Sequence, residues 1–415
     1  MKVLISGGGI GGNALAFWLS RIGHSVTVVE WFPNLRTTGL QLDLRGHGIE
    51  VLKRMGLEKD FRSRSAPEQG MEIVNSAGNR KAYFPANKSG KGLQSFTTDW
   101  EIMRGDLCRL IYDHSKDRTK YIFGTSIESF EDKDEGVEVK LKDGTTDRFD
   151  LLVGADGQWS RTRRMMLGSD QVGLEPFRGV NMAYFTIPQP IKDGEEYHAT
   201  TYIATGRRGI MIRRSNPDTV QVYLMCKTDN ERLKNARHGD VEEEKAAMAE
   251  VFRGAGWRTE EILKAMQDTD DFYLEYLCLV KLDSWSRGRV TLLGDAAWCP
   301  TATTGMGTTS AIVGAYVLAG EIGRRCKDGS GDKQSLTAAL KAYDDTFRPF
   351  MEQVQEGISD ESGAWSPMMP TTSLGIGILN FLMGVAATLK LNVVGGMLKE
   401  GVKWDLPEYE EILRK

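Results

Sequence analysis

The chain of 415 residues predicts an α/β protein in which a doubly wound, parallel-sheet domain carries an inserted, mostly antiparallel sheet and a C-terminal helix. Three observations lead to this prediction. A βαβ unit opens the chain, alternating strands fill residues 175–285, and an α/β pattern returns from Val290 to Asp295. The parallel-sheet domain is therefore expected to be assembled from segments that are far apart in the chain.

The opening unit begins with an apolar strand, Lys2 to Ser6, and continues through a glycine turn into an apolar helix, Ala14 to Ile22. A second strand follows and ends at Glu30. The turn has the GxGxxG pattern, which allows a pyrophosphate to approach the amides at a helix N-terminus, and an acidic residue after the second strand can bind a ribose hydroxyl. The residues predicted to bind an adenine dinucleotide here are Gly7, Gly9, Gly12 and Glu30.

The acid at position 30 disfavours a 2′-phosphate, so the ligand is FAD or NAD rather than NADP, and a purely structural glycine turn is the alternative. Two further strand ends favour FAD. One delivers Asp156-Gly157, and the other delivers Gly294-Asp295, followed by Gly305-Met306-Gly307 and a helix from Thr308 to Cys326. Either pair alone is typical of a plain turn. Together they place amides of a helix N-terminus where charge develops on a reduced flavin.

These ordered motifs resemble the class A flavoprotein monooxygenases of the para-hydroxybenzoate hydroxylase (PHBH) type, whose fold is a Rossmann-like FAD-binding domain (GR2/PHBH type). The resemblance covers nearly the whole chain. It implies that Asp295 binds the flavin ribityl chain and that the Asp156-Gly157 segment serves both FAD and NAD(P)H. It also implies that Arg104, at the start of a helix running to His114, contacts the ribityl and pyrophosphate groups.

The stretch from Arg36 to Leu44 is similar to one that runs beside the flavin ring in tetracycline-inactivating monooxygenases. That likeness makes Arg36 a flavin contact and Asp43 a neighbour of the ring. Trp298 stands where many relatives have a histidine, and Pro300 is displaced from the usual proline position. Asp43, Trp298 and Pro300 are therefore candidate residues of the substrate pocket.

The resemblance implies a monooxygenase with resident FAD, with NADPH or NADH as transient reductant and O2 as co-substrate. Through a flavin C4a-hydroperoxide it would hydroxylate a small aromatic or polycyclic, polyketide-like molecule, with tetracyclines among the candidates. No acid or base from the protein is required, because the flavin carries the chemistry. A flavin dehydrogenase or oxidase and a non-catalytic FAD-binding protein remain alternatives. Aromatic residues expected to line the pocket are Trp159, Tyr184, Phe185, Tyr202, Tyr223 and Trp298.

Three parts are expected: an FAD-binding domain (1–70, 98–170 and 286–345), a substrate-binding sheet domain (71–97 and 171–285) and a bridging C-terminal helical segment (346–415). The apolar stretch from Leu374 to Leu389 is shorter than the roughly 20 residues that span a bilayer. It is therefore predicted to be a buried or domain-bridging helix, with a membrane-surface role as the alternative.

Composition excludes several other functions. A net charge of −4 and a pI of about 5.9 give no basic footprint for nucleic acid. The five cysteines and five histidines are scattered, so we expect reduced thiols and no metal site. No signal sequence precedes the first strand, which favours a cytoplasmic protein, and a monomer or weak dimer is expected.

Overall fold

A computed structural model describes residues 1–86, 99–169, 173–236, 239–326, 331–358, 369–390 and 402–413. Within these residues the chain forms a parallel sheet flanked by helices and a larger, mostly antiparallel sheet. A long cavity lies between the two sheets. Part of the short-strand region expected from Met71 to Phe96, residues 87–96, lies outside the described residues.

The first sheet runs in the order β17-β18-β11-β1-β2-β7, and its strands are parallel except for β17. Its neighbours β1, β11 and β18 come from three distant parts of the chain, as the separated motifs predict. Apolar strands covered on both faces give this sheet its buried centre. Its strands are β1 (Lys2–Ser6), β2 (Ser25–Glu30), β7 (Thr119–Phe123), β11 (Leu151–Gly154), β17 (Ser286–Arg287) and β18 (Val290–Leu292).

The second sheet runs in the order β16-β12-β15-β14-β13-β4-β5 and is antiparallel except between β13 and β4. One face covers an apolar core and the other faces the cavity. Its strands are β4 (Gly70–Val74), β5 (Arg80–Pro85), β12 (Leu174–Pro188), β13 (His198–Ala204), β14 (Arg208–Arg213), β15 (Thr219–Lys227) and β16 (Tyr273–Val280).

Two small sheets complete the strands. A three-stranded meander lies beside the first sheet, and an antiparallel two-stranded ladder contributes Leu42 and Asp43 to the cavity wall. These strands are β3 (Gln41–Asp43), β6 (Glu101–Met103), β8 (Ile127–Lys133), β9 (Gly136–Leu141) and β10 (Thr146–Phe149).

The helices predicted after the glycine turn, at Arg104 and after Gly307 are present, each within a few residues of its expected bounds. The region predicted to be strand-rich, 175–285, also contains three helices in its described residues, of which α7 and α8 pack on the second sheet. Helices are α1 (Ile10–Arg21), α2 (Gly46–Arg54), α3 (Glu58–Arg62), α4 (Arg104–Asp113), α5 (Arg161–Leu167), α6 (Glu231–Asn235), α7 (Val241–Phe252), α8 (Thr259–Gln267), α9 (Asp295–Trp298), α10 (Gly307–Arg325), α11 (Lys333–Gln355), α12 (Ser373–Thr388) and α13 (Glu410–Leu413).

Helix α12 is the apolar C-terminal helix, which was predicted to be buried or domain-bridging. Burial is contradicted, whereas the domain-bridging role stays a prediction. Met383 and Ala387 pack against β4 and β5 of the second sheet, while Leu374 and Phe381 are 76% and 70% exposed. Because apolar residues occupy all faces of the helix, a single contact with the sheet leaves several of them in solvent. No helix among the described residues is long and apolar enough to cross a membrane.

Candidate active site

The turn between β1 and α1 requires glycine at Gly7 and Gly12, because a side chain at either position would collide with the backbone. Gly7 has φ +112°, and a Cβ there would collide with the carbonyl of Ala155 on the neighbouring strand. A Cβ on Gly12 would collide in turn with the carbonyl oxygen of Gly7, so the helix packs directly on the strand that precedes it. Gly7 and Gly9 line the cavity, and Gly12 lies one layer behind them. The turn leaves amides at the start of α1 facing open space, which suits an anion.

Glu30 ends β2 beside this turn and lines the cavity. Its carboxylate accepts hydrogen bonds from the amides of Gly8 (2.7 Å) and Phe32 (2.9 Å). These bonds hold the carboxylate at the mouth of the glycine turn, the position where a ribose hydroxyl is expected.

Two arginines converge on the same stretch of the cavity. Arg104 heads α4 and reaches the glycine turn, where a Cβ on Gly9 would lie 3.8 Å from its Nη2 atom. Its side chain also packs on Gly39, where a Cβ would lie 3.0 Å from its Cδ atom. The Nη1 atom of Arg104 is buried and has no hydrogen-bond partner among the described residues. Arg36 stacks on Tyr273 at 5.2 Å, and burial together with the charge of Arg104 lowers the pKa of Arg36. Two adjacent cations, one with an unused donor, call for an anionic ligand.

The loop after β11 is built around Asp156. Its carboxylate accepts hydrogen bonds from Ser160 and from the amide and hydroxyl of Thr162 (both 3.0 Å), which fixes the start of α5. Gly157 follows with φ +82°, and both Asp156 and Gly157 line the cavity. Arg163, fully buried, donates to the carbonyls of Gln158 and Ala296 and so ties this loop to the next one.

Asp295 opens α9 directly after β18. Its side chain is exposed to the cavity. Burial raises the pKa of Asp295, whereas the nearby Arg104 charge lowers it. Gly305, with φ +64°, and Gly307 bring the N-terminus of α10 beside this carboxylate, and a Cβ on Gly307 would lie 3.9 Å from Asp295 Oδ1.

One cavity of about 740 Å³ connects these elements with the face of the second sheet. At its far end the wall changes from glycines and backbone to aromatic and polar side chains. Predicted residues that line the cavity are Gly7, Gly9, Glu30, Arg36, Asp43, Arg104, Asp156, Gly157, Asp295, Pro300, Gly305 and Gly307, with Trp159, Tyr184 and Phe185 among the aromatics.

Trp298 does not line the cavity, so its prediction as a pocket residue is wrong. Its indole is 1% exposed and packs against Trp285 (ring centroids 4.6 Å apart) and Phe347 (5.1 Å). The reason is Gly314 of α10, where a Cβ would lie only 2.7 Å from the indole ring. That glycine opens a slot in the core, and the indole fills it instead of facing the cavity.

Tyr202 and Tyr223 also lie outside the cavity wall. The Tyr202 hydroxyl donates to the carbonyl of Ala255 at 2.7 Å, on the opposite side of the second sheet. Tyr223 packs edge-on against Tyr184, with ring centroids 5.4 Å apart, and its hydroxyl accepts from the Gln41 amide.

A buried ionic cluster beneath the cavity was not found from the sequence. Arg213 of β14 donates to both carboxylate oxygens of Glu68 and to Glu101, each at 2.7 Å. Burial and the nearby Asp43 raise the pKa of Glu101 well above its usual range, although Arg213 opposes this shift. Asp43 itself pairs with Arg45 at 2.5 Å. The residues of this ionic cluster come from four separated segments of the chain, so no local sequence pattern predicts the cluster.

A second unforeseen group is Glu275 on β16, which lines the cavity beside Tyr184 and Tyr273. The only local signal is an acid inside an otherwise apolar strand. Among the described residues no group of three or more His, Cys, Asp or Glu side chains is placed to hold a metal, and the absence of a metal site stays a prediction.

The residues present fit FAD. The turn at Gly7 admits no side chain, Arg104 keeps an unused buried donor, and the cavity runs on from these groups to Asp295. The family model described as FAD binding domain matches residues 1–357. The chain belongs to this family. Its members include the class A flavin monooxygenases of the PHBH type.

Relatives of known name match this chain along its whole length. The FAD-dependent monooxygenase asL4 of Sarocladium schorii is 50% identical over 430 residues, which cover 100% of this chain and 99% of the relative. The flavin-dependent monooxygenase eupH of a Phoma species is 40% identical, covering 99% and 98%. This family member is therefore an FAD-dependent monooxygenase.

Solved structures share this fold. The crystal structure of the tetracycline destructase Tet(51) is similar with a TM-score of 0.77 and 29% identity, over 99% of each chain. Klebsiella pneumoniae HpxO complexed with FAD and uric acid gives a TM-score of 0.71 over 96% of each chain, and at 18% identity it shows the shared fold alone.

Proposed function

We propose that this monooxygenase takes electrons from NADPH or NADH and hydroxylates a small phenolic substrate of aromatic or polycyclic, polyketide-like structure. The observation that carries the proposal is the continuity of the cavity. A nucleotide-shaped end, made of glycines and arginines, opens directly onto a wall of aromatic rings and hydrogen-bonding side chains. Such a wall suits a flat ring that carries hydroxyl groups.

In this proposal the cofactor is held by residues of the three separated segments, 1–70, 98–170 and 286–345. Arg104 contacts the ribityl and pyrophosphate groups, Arg36 contacts the flavin, and the Asp295 carboxylate accepts from the ribityl hydroxyls. When bound, the flavin supplies electron transfer from the nicotinamide and activation of O2. The remaining work of the chain is to position the ring and to exclude water.

The substrate is held by residues of the second sheet, 71–97 and 171–285. Tyr184 of β12 and Tyr273 of β16 supply aromatic surface, and Arg213 and Gln221 supply polar groups at the cavity wall. The similarity to the tetracycline destructase Tet(51) supports a fused-ring substrate, and the fungal relatives support a monooxygenase reaction. The bridging role of residues 346–415 is part of the same proposal: Trp404 packs on Phe350 near the first sheet, while α12 packs on the second.

The test begins with the absorbance spectrum of purified protein and the anaerobic addition of NADPH or NADH, with and without a panel of phenolic polyketides that includes tetracyclines. We expect flavin absorbance that bleaches faster with one compound, and in air a product that gains the mass of one oxygen atom. Rapid turnover without O2, or a product that has only lost hydrogen, would indicate a dehydrogenase or oxidase instead. A bound flavin that neither nicotinamide reduces would contradict the choice of reductant.

A further inference from the structure

Glu275 is an acid that the strand pattern places against the cavity. In β16 the alternation of side chains puts Tyr273 and Glu275 on the cavity face, whereas Leu274 between them enters the apolar core of the second sheet. The neighbouring strand β12 pairs Tyr184 with Tyr273 and Met182 with Glu275. Tyr184 therefore stands diagonally across from Glu275 on the same face.

One carboxylate oxygen of Glu275 is fixed and the other is available. The Tyr184 hydroxyl donates to Glu275 Oε2 at 3.1 Å. No other hydrogen bond joins the Glu275 carboxylate to the described part of the chain. Tyr184 itself is held between the rings of Tyr223 and Tyr273, at centroid distances of 5.4 and 6.5 Å. The carboxylate is thus oriented by a rigid partner, with its second oxygen open to the cavity.

The charges around Glu275 make it a stronger base than an ordinary carboxylate. Burial and the neighbouring carboxylate of Asp295 raise the pKa of Glu275 to about 7, and the hydrogen bond from Tyr184 offsets part of that shift. Cys299 and Tyr273 also face it, and Arg36 and Arg104 approach Tyr273 rather than Glu275. A proton taken up by Glu275 removes a like-charge repulsion inside a poorly solvated site.

We propose that Glu275 is the catalytic base that accepts the proton of the substrate's aromatic hydroxyl, with Tyr184 as its positioning residue. The proposal rests on the function proposed above. In this step the O–H bond of the substrate breaks and an O–H bond to Glu275 forms, while the electron pair stays on the substrate oxygen. Nothing is oxidised or reduced. The resulting phenolate is the more electron-rich ring, which favours attack on an electrophilic oxygen.

The raised pKa of Glu275 and its position at the cavity wall both suit a catalytic base. A base works best when its pKa lies near the pH of operation, and a carboxylate reaches that range only when burial and a like charge act together. Glu101 is also a buried acid with a raised pKa, but Arg213 and Gln41 both donate to its Oε2 atom, and Arg213 carries a positive charge. Glu275 lines the cavity, whereas Glu101 does not.

The first test uses 4-nitrophenol bound to the FAD-loaded enzyme, because its phenolate is coloured and no turnover is needed. With wild type at about pH 7, where roughly half of the Glu275 carboxyl groups are ionised and can accept a proton, we expect a larger phenolate fraction in the bound probe than in free solution. Glu275→Gln is expected to lower the bound phenolate-to-phenol ratio by about tenfold or more. The control is Glu72→Gln, a change of the same kind on β4 of the same sheet, where Glu72 pairs with Arg80 outside the cavity.

The second test is the pH profile of kcat/KM with whichever phenol is turned over. In wild type kcat/KM should rise through about pH 7 and then level, since the base must be ionised. Glu275→Gln should lose this limb and about 10²–10⁴-fold in kcat, the usual contribution of a general base. Tyr184→Phe should move the limb to higher pH, because its hydrogen bond stabilises the carboxylate, and a merely structural role would not move it.

The two tests separate the two proposals. An unchanged phenolate ratio in Glu275→Gln, or wild-type enzyme that does not bind 4-nitrophenol, overturns the role of Glu275. So does a retained pH limb in an active Glu275→Gln variant, and that result leaves the monooxygenase function standing. Loss of the phenolate ratio in Glu275→Gln but not in Glu72→Gln supports the base, even where no phenol of the panel gains oxygen.

Discussion

The two ends of the cavity are built on different physical principles. The cofactor end uses backbone geometry: glycines that admit no side chain, strand ends and the N-termini of α1 and α10. The substrate end uses side chains standing on an antiparallel sheet, several of them buried acids and tyrosines. Substitutions at the cofactor end should therefore act on cofactor affinity, and those at the substrate end on protonation and selectivity. The short helix α9, which carries both a cavity residue and a core residue, lies at the boundary.

The largest expected effect is a loss of stability on substitution of Trp298 in α9, the helix at the boundary between the two ends. Trp298→Ala removes a fully buried indole from the core, so we expect a loss of about 3–5 kcal/mol in the free energy of unfolding. FAD affinity of the folded fraction should stay close to that of wild type, because Trp298 does not face the cavity. Urea denaturation and flavin titration measure the two quantities. A selective loss of FAD affinity with unchanged stability would return Trp298 to the active site.

The next prediction concerns the substrate end of the cavity, where Glu275 makes the free energy of unfolding depend on pH. The pKa of Glu275 is raised from 4.5 to about 7 in the folded state. The folded protein therefore binds this proton more tightly than the unfolded chain, and the associated stability is lost as the pH rises from about 4.5 to 7. Across that window wild type should lose on the order of 3 kcal/mol relative to Glu275→Gln. Parallel urea midpoints at several pH values would contradict this.

At the cofactor end, Asp295→Ala is the counterpart of Trp298→Ala within the same helical turn. Removing a carboxylate that accepts from the ribityl chain should weaken FAD binding by about 1.5–3 kcal/mol. The unfolding free energy of the FAD-free protein should change little, because the Asp295 carboxylate faces the cavity rather than the core. Flavin retained at full stoichiometry after dilution would show that Asp295 does not hold the cofactor.

A smaller effect compares two glycines one residue apart. Gly12→Ala places a methyl group against the Gly7 carbonyl and should displace the turn, at a cost of about 1–3 kcal/mol in FAD binding or folding. Gly11→Ala is the matched control, since its Cβ would lie in ordinary contact, 3.5 Å from the Ala311 side chain. Equal behaviour of the two variants in flavin titration would mean that backbone geometry does not govern this end.

The two ends also differ in how far the sequence predicts them. Gly7 to Glu30 is a local unit whose strand, turn, helix and acid follow in order, so its pattern predicts both fold and position in the cavity. Trp298 was misplaced because its direction depends on Gly314, which comes later in the chain. Glu275 was missed because its importance arises from Tyr184 and Asp295, which only the folded sheet brings near it. Side-chain environments made by distant strands leave little trace in a single sequence.

The order of strands in the first sheet sets when the cofactor site can first exist during synthesis of the chain. Its neighbours β1, β11 and β18 are made far apart in time, and the turn and helix start that complete the site end only at Gly307. A nascent chain shorter than this holds the glycine turn without the residues that face it. FAD therefore cannot act as an early template for the growing polypeptide. Loading of the cofactor is expected to follow synthesis of most of the chain.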